Sequence, residues 1–157
     1  MEQWGPKGSN GNQMALTGTW PRSLDDKGRL AVPKRVRDDL GGETLTELFI
    51  APWTEKSLAI FTPAAFDSLA QRFGEKSAKA GVRDYMRLFY ARAERVDIDA
   101  QSRIRLPDRL KAFAELDREV VLLGVNDHVE LWDAARWDKY VGELNPQFDA
   151  IAEQANE

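Results

Sequence analysis

The chain has 157 residues, 43% of them hydrophobic, with no Cys, one His and a formal net charge of −4. That length allows one ordinary domain or two small ones, the missing Cys excludes disulfides and thiol chemistry and fits a reducing cytosol, and no apolar run is long enough to span a membrane. The acidity argues against a nucleic-acid partner, but it averages over an asymmetry: Arg22, Lys27, Arg29, Lys34, Arg35 and Arg37 stand against only Asp25 and Asp26, whereas every charge from Glu143 onward is acidic.

Residues 1–13 are rich in Gly, Asn, Ser and Gln and read as a disordered extension. They lack the apolar stretch of a secretory signal, and Met14 is a candidate start. A short strand is expected over Thr17–Trp20, stopping before Pro21. A hairpin follows at Leu24–Pro33, its three-residue loop ending in Gly28, where a left-handed residue is needed. Lys34–Leu40 reads as a short helix stopped by Gly41 and Gly42. Leu48–Ala51 and Ser57–Phe61 read as strands. Pro63 opens a helix with Phe66, Leu69, Ala70 and Phe73 on one face. A polar break follows over 74–81, then a helix from Val82 to Arg95 striped by Tyr85, Met86 and Phe89. A second hairpin spans Ile98–Pro107, followed by a helix with Leu110 and Phe113 inward. Strands are expected over Glu119–Val125 and His128–Trp132. Asp133 caps a last helix bearing Trp137, Tyr140, Val141 and Leu144, which Pro146 breaks before an acidic tail.

The two hairpins carry one pattern. Leu24-Asp25-Asp26-Lys27-Gly28-Arg29-Leu30-Ala31-Val32-Pro33 returns as Ile98-Asp99-Ala100-Gln101-Ser102-Arg103-Ile104-Arg105-Leu106-Pro107, 74 positions on. Such spacing is too long for a solenoid unit and suits two copies of one small domain. By Phe61 and Trp132 the offset has fallen to 71, which places a three-residue deletion in the loop containing Gly41, Gly42 and Glu43.

Catalytic signals are poor. His128 stands alone in an alternating strand, where a structural role is the usual one. One His and no Cys argue against tetrahedral zinc, and no phosphate-binding loop or nucleophile elbow occurs. Asp25, Asp26, Asp97 and Asp99 could gather a divalent metal only if a turn and a strand face converged. The hairpin tips are better candidates. Lys27, Arg29 and Arg103 present cations on short loops, and Arg forks onto guanine or phosphate. The same spacing also fits hairpin-closing ion pairs, Asp25 with Arg29 and Asp99 with Arg103. Spacing alone admits both roles, and they are compatible. Arg105 falls on the strand rather than the tip. Ser102, in the place of Gly28, carries a left-handed penalty of about 1–2 kcal/mol, so Ser102→Gly is expected to stabilise.

The paired motifs, with Val121-Leu122-Leu123-Gly124-Val125 and Glu130-Leu131-Trp132, resemble the MraZ family over Met14 to about Leu144. That family comprises bacterial transcriptional regulators built from tandem SpoVT-AbrB domains, with Asp-x-x-x-Arg as the DNA-binding signature. The resemblance implies an α+β, β-rich fold of two AbrB/SpoVT-like swapped-hairpin β-barrel halves, paired within one chain as a pseudo-dimer with short flanking helices. The halves fall at 18–64 and 93–136, with a helical connector at 65–92 and a C-terminal helix and acidic tail at 137–157. It further implies ring-like homo-oligomers on repeated promoter boxes and repression of the cell-division and cell-wall gene cluster. The expected DNA-binding residues are Arg29, Lys27, Asp25, Arg103, Asp99 and Arg22. Neither enzymatic activity, cofactor, metal nor membrane is expected, and the place is the cytoplasm, at the nucleoid. The alternative is an oligomeric protein-binding scaffold whose tips are structural, with a metal-dependent phosphodiesterase further off.

Overall fold

A computed structural model of the chain describes residues 14–157, so the extension expected over residues 1–13 lies outside the described residues. The described part mixes α and β: a six-stranded antiparallel sheet, a separate two-stranded ribbon and six α-helices. Among the described residues no helix is long and apolar enough to cross a membrane.

The first strand, β1 (Thr19–Ser23), runs through Pro21 instead of stopping before it. It lies at the sheet edge, paired with β7 (Glu119–Val125). The amide of Gly124 donates to the Gly18 carbonyl, and that of Leu24 to the Arg118 carbonyl. Even-numbered residues therefore bond to the sheet and Pro21 turns its nitrogen outward, where a missing N–H breaks no ladder.

The hairpin strands part company. The turn after Leu24 closes, but β2 (Arg29–Ala31) pairs with β6 (Arg103–Arg105) rather than with β1. Likewise β5 (Glu94–Asp97) leaves β6 and pairs with β3 (Glu47–Pro52). A three-residue strand has one inward side chain. Pairing β2 with β6 buries both, Leu30 at 0% and Ile104 at 1% exposure, as the separate hairpins could not. The apolar runs of β3, β4 (Leu58–Phe61), β7 and β8 (His128–Asp133) are nearly continuous because both sheet faces are covered.

Register reveals a two-fold relation within the chain. Leu30 pairs with Ile104, its own repeat counterpart (104 minus 30 is 74), and Ala59 with Glu130 (130 minus 59 is 71). Both pairs therefore lie on the axis. Glu119, opposite Ser23, corresponds to Glu47, opposite Asp97, an offset of 72. The three-residue deletion is thus split: two residues are lost from the loop around Gly41–Glu43, and one from the turn between β3 and β4.

The main core lies between the inner sheet face, the ribbon, α1 (Lys34–Leu40) and α4 (Asp108–Phe113). On the outer face α2 (Pro63–Glu75) and α3 (Ala80–Arg92) cover Ala51, Ala59 and Phe61, and α5 (Ala134–Leu144) packs its Trp137 and Tyr140 on Trp132. The Thr62 hydroxyl caps α2 by accepting from the Ala65 amide, and Asp133 caps α5. Helix α3 stops at Arg92 rather than Arg95, because Val96 is drawn into β5 and onto the main core. The segment expected as an acidic tail is helical instead. Pro146 sits early in a 3-10 turn over Asn145–Gln147, where a helix start needs no N–H from it, and α6 (Phe148–Ala155) follows.

His128 is buried against Trp53 and Phe61 at ring distances of 5.0 and 5.5 Å. Its Nδ1 lies 2.8 Å from an Asp127 oxygen and its Nε2 3.2 Å from a Glu130 oxygen. Burial works against the charged ring, but the hydrogen bonds to Glu130 and Asp127 win and raise its pKa above the ordinary 6.5. Stability from a raised His is complete below the unfolded value and is lost as pH climbs through the folded one. The melting temperature is therefore expected to fall on titrating upward from pH 6.5, and His128→Gln to flatten that fall. A wild-type melting temperature that rises over the same interval contradicts the pairing.

Candidate nucleic-acid interface

Each tip is built around its Asp. One oxygen of Asp25 accepts from the amides of Lys27 and Arg29 at 2.9 and 2.8 Å, and the other from Arg29 Nε at 2.7 Å. Asp99 does the same with the amides of Gln101 and Arg103 and with Arg103 Nε, each at 2.9 Å. These are Asx turns, in which a short carboxylate replaces a backbone acceptor. The Arg29 amide bond above all, helped by the guanidinium, holds the Asp25 carboxyl down at about 2. Asp99 is lowered in the same way by the Arg103 amide.

The ion pair and the presented cation are therefore one device. The Asp locks the loop and grips its Arg by Nε alone, leaving the forked Nη groups without a protein acceptor among the described residues. A guanidinium held at its base and free at its tip is prepared for a bidentate acceptor.

The ribbon adds a residue that spacing had placed off the tip. Arg29 pairs directly with Arg105, and Ala31 with Arg103, while Leu30 and Ile104 point inward. Strand alternation then gathers Arg29, Arg103 and Arg105 on one outward face. The side chains of Lys27 and Arg105 make no ion pair or hydrogen bond among the described residues. The alternation of Arg103 and Arg105 was visible in the sequence, but the strand across from them was not. Arg118 reaches Asp26 at 3.4 Å. Arg22 stays in β1 opposite Val120, its guanidinium turned back onto the Pro21 carbonyl at 2.7 Å.

Of the four carboxylates weighed as metal ligands, Asp25 and Asp99 are engaged in their turns. Asp26 meets Arg118, and Asp97 lies opposite Glu47. Among the described residues no three candidate ligands group around a metal position.

Both loops put their third residue in the left-handed region, Gly28 at φ 73° and Ser102 at φ 59°. Ser102 has a compensation invisible in the sequence: Arg37 Nη1 donates to its hydroxyl at 2.7 Å. At the first tip the counterpart is Lys111 packed against Gly28. A hydrogen bond to a charged group contributes about 1.5–3 kcal/mol, enough to offset the left-handed penalty of about 1–2 kcal/mol. Ser102→Gly alone is therefore expected to be neutral or mildly destabilising in urea melts. In an Arg37→Ala background the same change should stabilise by about 1 kcal/mol. Equal effects in both backgrounds would show the bond to be idle.

A family model described as "MraZ protein, putative antitoxin-like" matches residues 89–157. The chain is 39% identical over 143 residues to a transcriptional regulator MraZ of Parafrankia sp. (strain EAN1pec), covering 90% of this chain and 96% of that one. It is 37% identical over 139 residues to the protein of that name from Clavibacter michiganensis subsp. michiganensis, and 33% over 138 residues to that from Moorella thermoacetica. Each of these covers 87% of this chain and 94% of the relative.

Proposed function

Because the chain belongs to the MraZ family, we propose that it is a non-enzymatic transcription regulator that binds double-stranded promoter DNA through the outer face of the ribbon and its two turns. One observation carries this reading: Arg29, Arg103 and Arg105 share one face of a two-stranded antiparallel ribbon, an element the major groove admits. Arg29 reads base edges, with Asp25 orienting it. Lys27 and Arg105 hold phosphates beside it. Arg103, oriented by Asp99, serves the second tip, and Arg22 reaches the flanking backbone.

Residues 18–64 and 93–136 form AbrB/SpoVT-like swapped-hairpin halves, paired as a pseudo-dimer within the chain. Residues 65–92 connect them, and 137–157 form the C-terminal arm. The exchanged strand pairing and the internal two-fold support this division. Several copies in a ring-like homo-oligomer set their tips along repeated short boxes, where linkage multiplies weak single contacts. The target is the cell-division and cell-wall gene cluster, including the protein's own promoter, repressed at the nucleoid in the cytoplasm.

A mobility shift on DNA from upstream of the protein's own gene, at two salt concentrations, tests the reading. Binding should outlast competitor DNA and weaken steeply with salt, as phosphate neutralisation requires. Failure to shift this DNA at low salt overturns it.

A further inference from the structure

Two surfaces of this chain lack a partner among the described residues, and they are complementary in character. The first is α6. None of its residues is buried, and Phe148 and Ile151 stand on one side of it, 68% and 41% exposed. In the first half the corresponding helix, α3, folds back on α2, with Phe89 5.9 Å from Phe73. In the second half, Gln147 at φ −106°, ψ 11° breaks the helical path before α6, and no α6 residue joins a core cluster, so α6 stands off the sheet as an arm.

The second surface is an open cavity of about 660 Å³ between α2, α3 and the outer sheet face, walled by Trp53, Phe61, Phe73 and Tyr85. Its rim carries Arg72 and Lys76, which have no ion-pair partner among the described residues. From Phe148 onward the arm carries Asp149, Glu153 and Glu157 and no basic residue. An amphipathic helix laying two apolar anchors into an aromatic groove is a common recognition mode, and here the arm is acidic while Arg72 and Lys76 outnumber the one acid of the lining, Asp127.

We infer that α6 of one copy docks in the α2–α3 cavity of the next, with Phe148 and Ile151 as anchors and Arg72 and Lys76 meeting its acids. This rests on the self-association proposed above and names the contact that makes it. The interface is head-to-tail, so each copy offers one arm and one groove, and repetition closes a ring or runs on.

Complementary mixing tests it by light scattering coupled to size exclusion. Phe148→Asp spoils the arm and spares the groove, whereas Arg72→Glu with Lys76→Glu spoils the groove and spares the arm. All three positions are exposed, so the fold survives, as circular dichroism will verify. Each variant alone should run near the 17.8 kDa of one chain, and an equal mixture should give a dimer of one of each. A wild-type oligomer that both variants retain, or monomeric variants that do not pair on mixing, overturns the α6–groove contact and leaves self-association standing. A monomeric wild type overturns both.

Discussion

Arg29→Ala is expected to remove specific promoter binding and leave the fold intact. Only the side-chain bond from Nε to Asp25 is lost; Asp25 still accepts from the Lys27 and Arg29 amides, so the loop keeps its shape. A bidentate base contact is worth about 1–3 kcal/mol, roughly 5- to 150-fold in affinity for each tip, and linked copies compound it. Arg103→Ala is expected to cost less at the same salt. Its turn has Gln101 where the first has Lys27, and Ala31 occupies the ribbon position equivalent to Arg105. Mobility shifts on one promoter fragment, with circular dichroism melts of each variant, decide the matter. Equal losses for the two Arg variants would remove the inequality between tips. Wild-type affinity in Arg29→Ala would show that the first tip does not read DNA.

Leu30→Ala should act through a different route. Leu30 is fully buried and sits on the internal axis against Ile104, beneath the outward Arg residues. Truncating a buried Leu costs about 2–5 kcal/mol, a large share of a stability of about 5–15 kcal/mol. The melting temperature should fall on the order of 10 °C, and DNA binding should weaken as the ribbon loosens. Lower temperature should restore binding to Leu30→Ala but not to Arg29→Ala. An unchanged melting temperature would mean that the ribbon is not part of the core.

What the sequence made legible was local. The Asp25 turn closes over four residues, and its logic carries to Asp99 by repetition, left-handed third position included. The buried runs of β3, β4, β7 and β8 were equally plain, because a strand covered on both faces is apolar throughout. Pairing was not legible. Alternation says which face Leu30 takes, not that its neighbour lies 74 residues away, and the hairpin expected from it followed the nearest partner. Arg105 was undervalued for the same reason: its place beside Arg29 exists only through the cross-chain register. The bond from Arg37 to Ser102 and the helical arm beyond Pro146 likewise depend on contacts or chain direction that residue type does not encode.

The exchanged pairing also sets an order of assembly during synthesis. Strand β1 leaves the ribosome first but bonds to β7, 96 positions later where Ser23 meets Glu119 (119 minus 23) and 104 where Thr19 meets Leu123 (123 minus 19). At about 5–20 residues per second this leaves the nascent edge unpaired for roughly 5–20 s. Only the Asp25 turn and the three-residue β2 stand as structured elements between it and α1 meanwhile, and Pro21 removes a donor from the opposite, outer edge of β1, so the waiting strand offers a full set of donors on one edge only. The proline thus guards the outer edge of β1, both while the strand waits for β7 and in the finished sheet, where that edge stays open among the described residues.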